Sequence, residues 1–446
     1  MLGVLSKRIY RHLFFAQVIA LVGTGLATVA LGLLAYDIAG GNAGQVLGTA
    51  LAIKMIAYIG VAPVAGAFAD RVPRKALLVA LDLVRAAVAI CLPFVTEVWQ
   101  VYLLIFVLQS ASAGFTPTFQ ATIPDVLPEE RDYTRALSLS RLAYDMESLT
   151  SPILAAALLT IINFHWLFSG TAIGFLASAA LVVTSGLTRA AAKDARGDVS
   201  IYAKTTRGIR IYLKTPRLLG LLAITLAAAA ASAMVIVNTV VMVRGLGLGQ
   251  TQVALTLACY GGGSMLAAFL LPRLLDRIAD RQLMIAAAGA LTLTLAGLAA
   301  MAFAMPGERL AWPMLLATWP VLGIAYSMSQ TPSGRLLKRS ASVDDRPALF
   351  AAQFALSHVC WLIAYPLAGT LGAKAGIAAA FAAMAALAAI GFAAALKFWP
   401  ANDPDSISHN HDDLPADHPH LRKAHAGGKS SHDFVIDDLH QKWPRS

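Results

Sequence analysis

Charge is scarce in this chain. Asp, Glu, Lys and Arg make up 13% of its 446 residues while hydrophobic residues make up 58%, against roughly 25% charged in an average soluble domain. That shortage excludes a string of water-soluble domains. Apolar runs of about 20 residues recur instead, each long enough to cross a ~30 Å hydrocarbon layer. Cysteine is scarce too. Cys91, Cys259 and Cys360 are the three present; they lie far apart within predicted helices, which excludes a disulfide framework or a paired-thiolate metal motif and leaves them as packing residues. No Gly-rich phosphate loop ending in Lys-Ser or Lys-Thr occurs, which removes a nucleotide-driven pump and leaves an ion gradient as the driving force.

The apolar runs predict twelve membrane-spanning helices at about 13–36, 44–69, 75–95, 99–122, 136–162, 164–186, 218–243, 250–274, 282–305, 311–334, 348–372 and 376–398. The first is too long for a signal-peptide core and lacks a small-residue cleavage site, so it reads as a span and not as a leader. Lys and Arg sort onto one side. Lys7, Arg8 and Arg11 precede the first span, Arg71, Arg74 and Lys75 follow the second, and Arg131 and Arg135 follow the fourth. The central connection carries eight more from Arg189 to Arg217, and Arg273, Arg277, Arg281, Arg335, Lys338, Arg339 and Arg346 continue the alternation. The opposite side holds Arg244, Arg309 and Lys374. Because cytoplasmic connections retain basic residues, this pattern predicts both termini inside and accounts for the formal charge of +10 without any nucleic-acid partner.

The basic stretch divides the spans six and six. The expected organisation is an all-α membrane protein with a first six-helix bundle over 1–186, a cytoplasmic basic linker over 187–217, a second bundle over 218–400 and a disordered His/Asp-rich cytoplasmic tail over 401–446. The stretch from Gly66 to Lys75 after span two is echoed in place by Pro272 to Arg281 after span eight, with Asp276-Arg277 standing where Asp70-Arg71 stands in the first copy.

Gly66-Ala-Phe-Ala-Asp70-Arg71-Val-Pro-Arg74-Lys75 resembles the signature loop of the major facilitator superfamily, roughly Gly-x-x-x-Asp-Arg-x-x-Arg-Arg, with Lys for Arg at the last position. Asp82-x-x-Arg85, Tyr36-Asp37 and Ile123-Pro124-Asp125-Val-Leu-Pro128 are similar to the enterobactin-exporter-like branch, and the histidine-rich end resembles that of nickel-resistance exporters. The resemblance implies a major facilitator fold and a gate: Asp70 holds the two bundles together in one state while Arg71 and Arg74 carry a charge relay. Gly66, Lys75, Asp82 and Arg85 complete the gating set. A carboxylate at a helix end that caps a facing helix N-terminus supplies the physics.

Ionisable side chains at bilayer depth cost a few kcal/mol or more and must face a cavity or a partner. Lys54, Arg141, Asp145, Glu147 and His358 are such residues. Arg141 and Asp145 share a helix face at a spacing that suits an ion pair, and Asp145 and Glu147 are candidates for proton binding. His358 lies on a face with Phe354, Trp361 and Tyr365, where it can hold a proton, a metal or one structural hydrogen bond. Polar stripes at Gln17, Thr24 and Thr28, at Gln109, Ser112, Thr116 and Gln120, and at Thr256, Tyr260 and Ser264 suggest either a wet path or helix-packing contacts.

Seven of the ten histidines fall in the last 38 residues, interleaved with Asp412, Asp413, Asp417 and further aspartates. His409, His411, His418, His420, His425, His432 and His440 with these carboxylates form a mixed imidazole and oxygen ligand set suited to nickel, cobalt or zinc. The closing stretch from His432 to Trp443 is richer in apolar residues and suggests a short docking element. The expected function is secondary active, proton-coupled efflux of a divalent metal, with efflux of an organic compound such as a siderophore or drug, the tail then regulating, as the alternative. No enzyme activity and no cofactor are expected; the expected surroundings are a cell inner membrane and the expected state a monomer. Phe, Trp and Tyr converging at the substrate path would favour an organic substrate, and converging carboxylates with His358 an ion.

Overall fold

A computed structural model describes residues 2–69, 72–187, 201–304, 311–342, 345–403, 406–409, 430–437, 439–440 and 443. The described residues form helices α1 (Arg8–Ala39), α2 (Ala43–Ala69), α3 (Arg74–Cys91), α4 (Val98–Val126), α5 (Glu130–Leu158), α6 (His165–Thr184), α7 (Ile201–Lys214), α8 (Pro216–Gly245), α9 (Gln250–Leu275), α10 (Asp280–Ala304), α11 (Trp312–Gln330), α12 (Ser333–Arg339), α13 (Arg346–Lys374) and α14 (Ile377–Phe398). Each of the twelve expected spans has its helix; α7 and α12 are additional. Two short strands, β1 (Ser406–His409) and β2 (Ser430–Asp433), pair antiparallel after the last helix.

Local chemistry sets the boundaries. Pro216 and Pro347 open α8 and α13 where a helix has no use for the missing N–H. Gln100 turns back to accept hydrogen bonds from the N–H groups of Thr96 and Glu97 at 2.9 and 3.1 Å, which fixes the start of α4. Gly376, at φ 87°, makes the tight turn from α13 into α14. Among the described residues nine segments are long and apolar enough to cross a membrane, the first of them, Arg8–Val61, covering two helices. Outside that set are α5, diluted by Arg131, Arg135, Arg141, Asp145 and Glu147, and α11, diluted by two Trp and two Pro.

Helices α1 to α6 pack among themselves, as do α8 to α14, and the two groups meet mainly through α2 against α13 and α5 against α9. One end of the molecule carries the chain termini. At the far end the groups are sealed: a Cβ on Gly48 would stand 2.5 Å from the Tyr365 carbonyl oxygen, and one on Gly369 would strike the Gly44 carbonyl and stand 3.1 Å from the Gln45 Cα. Beside this glycine contact, Gln250 accepts from the Phe164 N–H at 3.3 Å and donates to the Ile162 carbonyl at 3.4 Å, while Thr251 donates to the Leu159 carbonyl at 3.0 Å.

The first bundle has its own anchor. Arg85 pairs with Asp82 one turn away on α3; Ser178 of α6 donates to the same carboxylate at 2.7 Å. The guanidinium lies between the rings of Phe115 and Phe175, 4.2 and 4.5 Å from their centroids, and both charged residues are buried.

Two expectations are corrected. The tail is not uniformly disordered: β1 pairs with β2, and Phe434, Ile436 and His440 are buried, because the closing stretch has enough apolar surface to dock. The cysteines are free, but Cys91 is exposed and so is not a packing residue, since it ends α3 on the side away from the bundle core.

Gly369→Ala should wedge α2 from α13 and lower thermal stability in detergent by about 1–3 kcal/mol. Gly297→Ala in α10, where nothing lies within 4 Å of the added carbon, should leave stability unchanged or raise it by up to about 1 kcal/mol. Asp82→Ala, which strands a buried guanidinium, should cost about 3–5 kcal/mol in the same assay, with Asp82→Asn milder because the amide oxygen can still accept.

Candidate transport site

Depth is set by helix arithmetic. Lys54 lies eleven residues from Ala43, the far end of α2, and Glu147 lies eleven residues from Leu158, the far end of α5. At 1.5 Å per residue both stand about 16 Å into the molecule, near the middle of a ~30 Å layer. The ammonium and the carboxylate attract one another. Among the described residues no ion pair shorter than 4.0 Å is formed by either, so their attraction acts across a gap.

Glycine makes room for the carboxylate. A Cβ on Gly25 of α1 would collide with the Ser151 side chain and stand 2.9 Å from Glu147 Oε1. One turn along α2, the ring of Tyr58 lies 5.9 Å from Lys54 Nζ and stacks on His358 of α13, with centroids 5.4 Å apart and planes 11° apart. Phe354 lies 4.0 Å from the imidazole and 6.0 Å from the Tyr58 ring, so the three rings form a cluster. The His358 Nδ1 is 2.6 Å from the Phe354 carbonyl oxygen, which accepts if this nitrogen carries the proton.

Lys54, Glu147 and His358 are therefore brought together, across the boundary between the bundles. Tyr58 is the member that sequence reasoning missed; its position one turn from Lys54 was the available signal. Tyr260 and Tyr326, on α9 and α11, approach to 5.9 Å in the second bundle, with Tyr365 of α13 within electrostatic reach of both. The side chains of Arg141 and Asp145 lie outside the described residues, and their expected pairing stands as an expectation.

Much of the polar striping satisfies its own helix. Thr24, Thr28, Ser112, Thr116 and Thr256 each donate to the carbonyl four residues back, at 2.7 to 3.5 Å. Hydroxyls bonded in this way do not require water. Gln17 and Gln109 are different: their Oε1 atoms are buried without a partner.

The gate is divided. Arg74, in the first turn of α3, pairs with Asp125 near the end of α4, so the Ile123 to Pro128 stretch supplies the counter-charge that sequence reasoning left unassigned. Gly66 lies in the last turns of α2 and Lys75 follows Arg74 in α3. Asp70 and Arg71 lie outside the described residues. Asp82 and Arg85 belong to the buried anchor within the first bundle, where their described contacts tie α3 to α4 and α6; their expected part in the gate stands as an expectation.

The second copy of the loop is also engaged at the end bearing the termini. Arg335 stands 3.5 Å from Asp280, and Arg281 donates to the Trp399 carbonyl at 3.0 Å. The linker helix α7 is docked on α13: Arg207 grips Asp345 through two nitrogens at 2.5 and 3.1 Å, and Tyr212 donates to Gln353. Burial pushes the Tyr212 phenol well above its ordinary range.

Of the tail ligands, His409 and His432 lie in the paired strands and His440 is buried with its Nδ1 2.8 Å from Asp437 Oδ1. His411, Asp412, Asp413, Asp417, His418, His420 and His425 lie outside the described residues. Among the described residues no three His, Cys, Asp or Glu side chains converge as a metal site.

The comparisons agree with this architecture. The model of the Major Facilitator Superfamily matches residues 13–311 and again 221–417. Macrolide efflux protein A of Streptococcus pyogenes is 29% identical over 125 residues, 26% of this chain and 31% of that protein. Multidrug resistance protein MdtG of Salmonella heidelberg (strain SL476) is 29% identical over 170 residues, 37% of this chain and 42% of that protein. The chain thus matches less than half the length of either relative. The crystal structure of a bacterial homologue of the human lysosomal transporter Spinster, inward-facing and unoccupied, superposes with a TM-score of 0.66 at 14% identity, covering 90% of this chain and all of that one, and so shares the fold. With the family model covering nearly the whole helical region, the chain belongs to the Major Facilitator Superfamily and is a membrane transporter of that type.

Proposed function

We propose that this transporter exports an amphipathic organic compound from the cytoplasm in exchange for protons, with both termini in the cytoplasm of a cell inner membrane. The observation that carries the proposal is the mid-depth meeting of Lys54 and Glu147 with the Tyr58, His358 and Phe354 rings across the bundle boundary. Aromatic faces suit an organic solute, and a fixed ammonium beside them suits a polar or anionic group on it. Divalent metal is less suited to this place, because Lys54 repels it and one nitrogen of His358 is already engaged by the Phe354 carbonyl. The two efflux relatives support export of a drug-like compound.

Coupling follows from competition. With Glu147 ionised, Lys54 is attracted to it; protonation of Glu147 removes that attraction and leaves the ammonium available to the substrate. Proton entry and substrate release are then alternatives at one locus. In this orientation the sealed end is the outer one, and the cytoplasmic end is where substrate enters.

Export of nickel or cobalt is a second proposal. It is favoured by the tail, where the pairing of β1 with β2 brings together the two ends of the stretch containing His411, His418, His420 and His425.

Uptake into inside-out vesicles with an imposed pH gradient separates the two. Gradient-driven accumulation of erythromycin, abolished by Glu147→Gln, is the expected result; gradient-driven accumulation of nickel without erythromycin would replace the organic substrate by the metal. Gly25→Ala should impair the same transport by displacing the Glu147 carboxylate, with a loss of thermal stability of about 1–3 kcal/mol because the added carbon also meets the Ser151 Cβ. Full transport in both variants would remove Glu147 from the coupling step.

A further inference from the structure

Three tyrosines of the second bundle take no part in the charge and proton step. Tyr260 of α9, Tyr326 of α11 and Tyr365 of α13 gather around one another, the first two with ring centroids 5.9 Å apart and the third within electrostatic reach of both. Glycine builds the pair. A Cβ on Gly323 would strike the Tyr260 carbonyl and one on Gly263 would strike that of Pro320, so α9 and α11 run almost backbone to backbone beside the rings. Ser232 of α8 adds a fourth hydroxyl beside Tyr260.

The cluster stands at the depth of the charged pair. Tyr260 lies ten residues from Gln250 and Tyr365 nine residues from Lys374, the far ends of α9 and α13. At 1.5 Å per residue both are about 14–15 Å into the molecule, close to the level of Lys54 and Glu147. Their helices are also those that border the first bundle: α9 packs on α5, which carries Glu147, and α13 packs on α2, which carries Lys54. The Tyr365 carbonyl itself meets α2 at Gly48.

These phenols offer hydrogen bonding without charge. The Tyr260 hydroxyl is buried and has no hydrogen-bond partner among the described residues. A phenol both donates and accepts, and leaving one unpaired in a low-dielectric interior is unfavourable until a solute or water completes it. No Asp, Glu, Lys or Arg lies mid-span in the second bundle, so a charged group placed here finds no counter-charge to offset its desolvation. Neutral hydroxyl and carbonyl oxygens carry no such penalty.

We propose that Tyr260, Tyr326 and Tyr365 form a second binding subsite, which takes an uncharged, hydroxyl- or carbonyl-bearing part of the transported compound while Lys54 faces its polar or anionic group. This assignment rests on the export of an organic compound proposed above and names the chemistry that such a compound must carry.

Tyr260→Phe deletes the hydroxyl and keeps the ring, so it tests hydrogen bonding apart from packing. In gradient-driven uptake of erythromycin into inside-out vesicles, the half-saturating concentration should rise about three- to tenfold with the maximal rate kept, the loss expected for one hydrogen bond. Tyr326→Phe should act in the same direction. Without drug, detergent-solubilised Tyr260→Phe should melt at the parent's temperature or above it, because the deleted hydroxyl is unpaired in the empty protein; a purely structural phenol would lower it. A parent that accumulates erythromycin and a Tyr260→Phe variant with unchanged half-saturation would overturn the subsite and leave organic export standing, as would loss of affinity together with loss of stability. A parent that accumulates no erythromycin would overturn the organic-export reading and this subsite with it.

Discussion

Two backbones can meet inside a bilayer only where side chains are absent, and the closed end of this transporter hangs on such a meeting. At Gly48 and Gly369 the facing helix's carbonyls, those of Tyr365 and Gly44, stand where a Cβ would be. Without a hydrophobic drive between helices in lipid, close van der Waals packing at small residues is a main source of association. The seal thereby sets which end is open, and through that, which face of the Lys54 and Glu147 pair a solute can reach. The hydrogen bonds from Gln250 and Thr251 to the α5–α6 connection add direction to a contact that packing alone would leave free to slide.

Low dielectric then sorts the charges into two kinds. Asp82 and Arg85 are held by each other, by Ser178 and by two aromatic faces. Lys54 and Glu147 attract without closing a contact, so a small change at either is felt by the other. The first arrangement serves stability, and the second suits the exchange proposed for it. Sequence places both pairs at membrane depth and gives no means of telling them apart, because the difference lies in partners contributed by α1, α4, α6 and α13.

Helix number, order and boundaries were legible because hydrocarbon thickness dictates span length and Pro, Gly and basic residues mark the ends. Even α5 and α11, the more polar of the spans, were found from apolar runs of the length a bilayer demands. In the tail, the apolar residues of the closing stretch marked it as a docking element but not where it docks: Phe434 and Ile436 are buried and Trp443 lies over Arg217, a place no local pattern shows. Arg217 shows the same limit, since in the sequence it is one of eight basic residues in a linker, and in the fold it is buried under the returning chain. The threonine stripes were left open between a wet path and packing for a related reason: periodicity cannot distinguish a hydroxyl facing water from one bonded to its own helix.

The two halves echo one another at their loops but not at their centres. The first bundle supplies the described mid-depth charges, and the second supplies Phe354, His358, Tyr260, Tyr326 and Tyr365. On the proposed reading, a site built this way binds through the Phe354 and His358 rings of one wall and is switched by the charges of the other, so affinity and coupling can vary independently. The carboxylate that would exchange a proton is seated by α1 through Gly25 and not by the wall that holds His358. Rotation of the bundles would separate His358 and Phe354 from the ammonium while leaving Tyr58, Glu147, Lys54 and Gly25 within one rigid body. The proposed proton step would then be completed in either orientation of the site, which is what exchange of one species for another across a membrane requires.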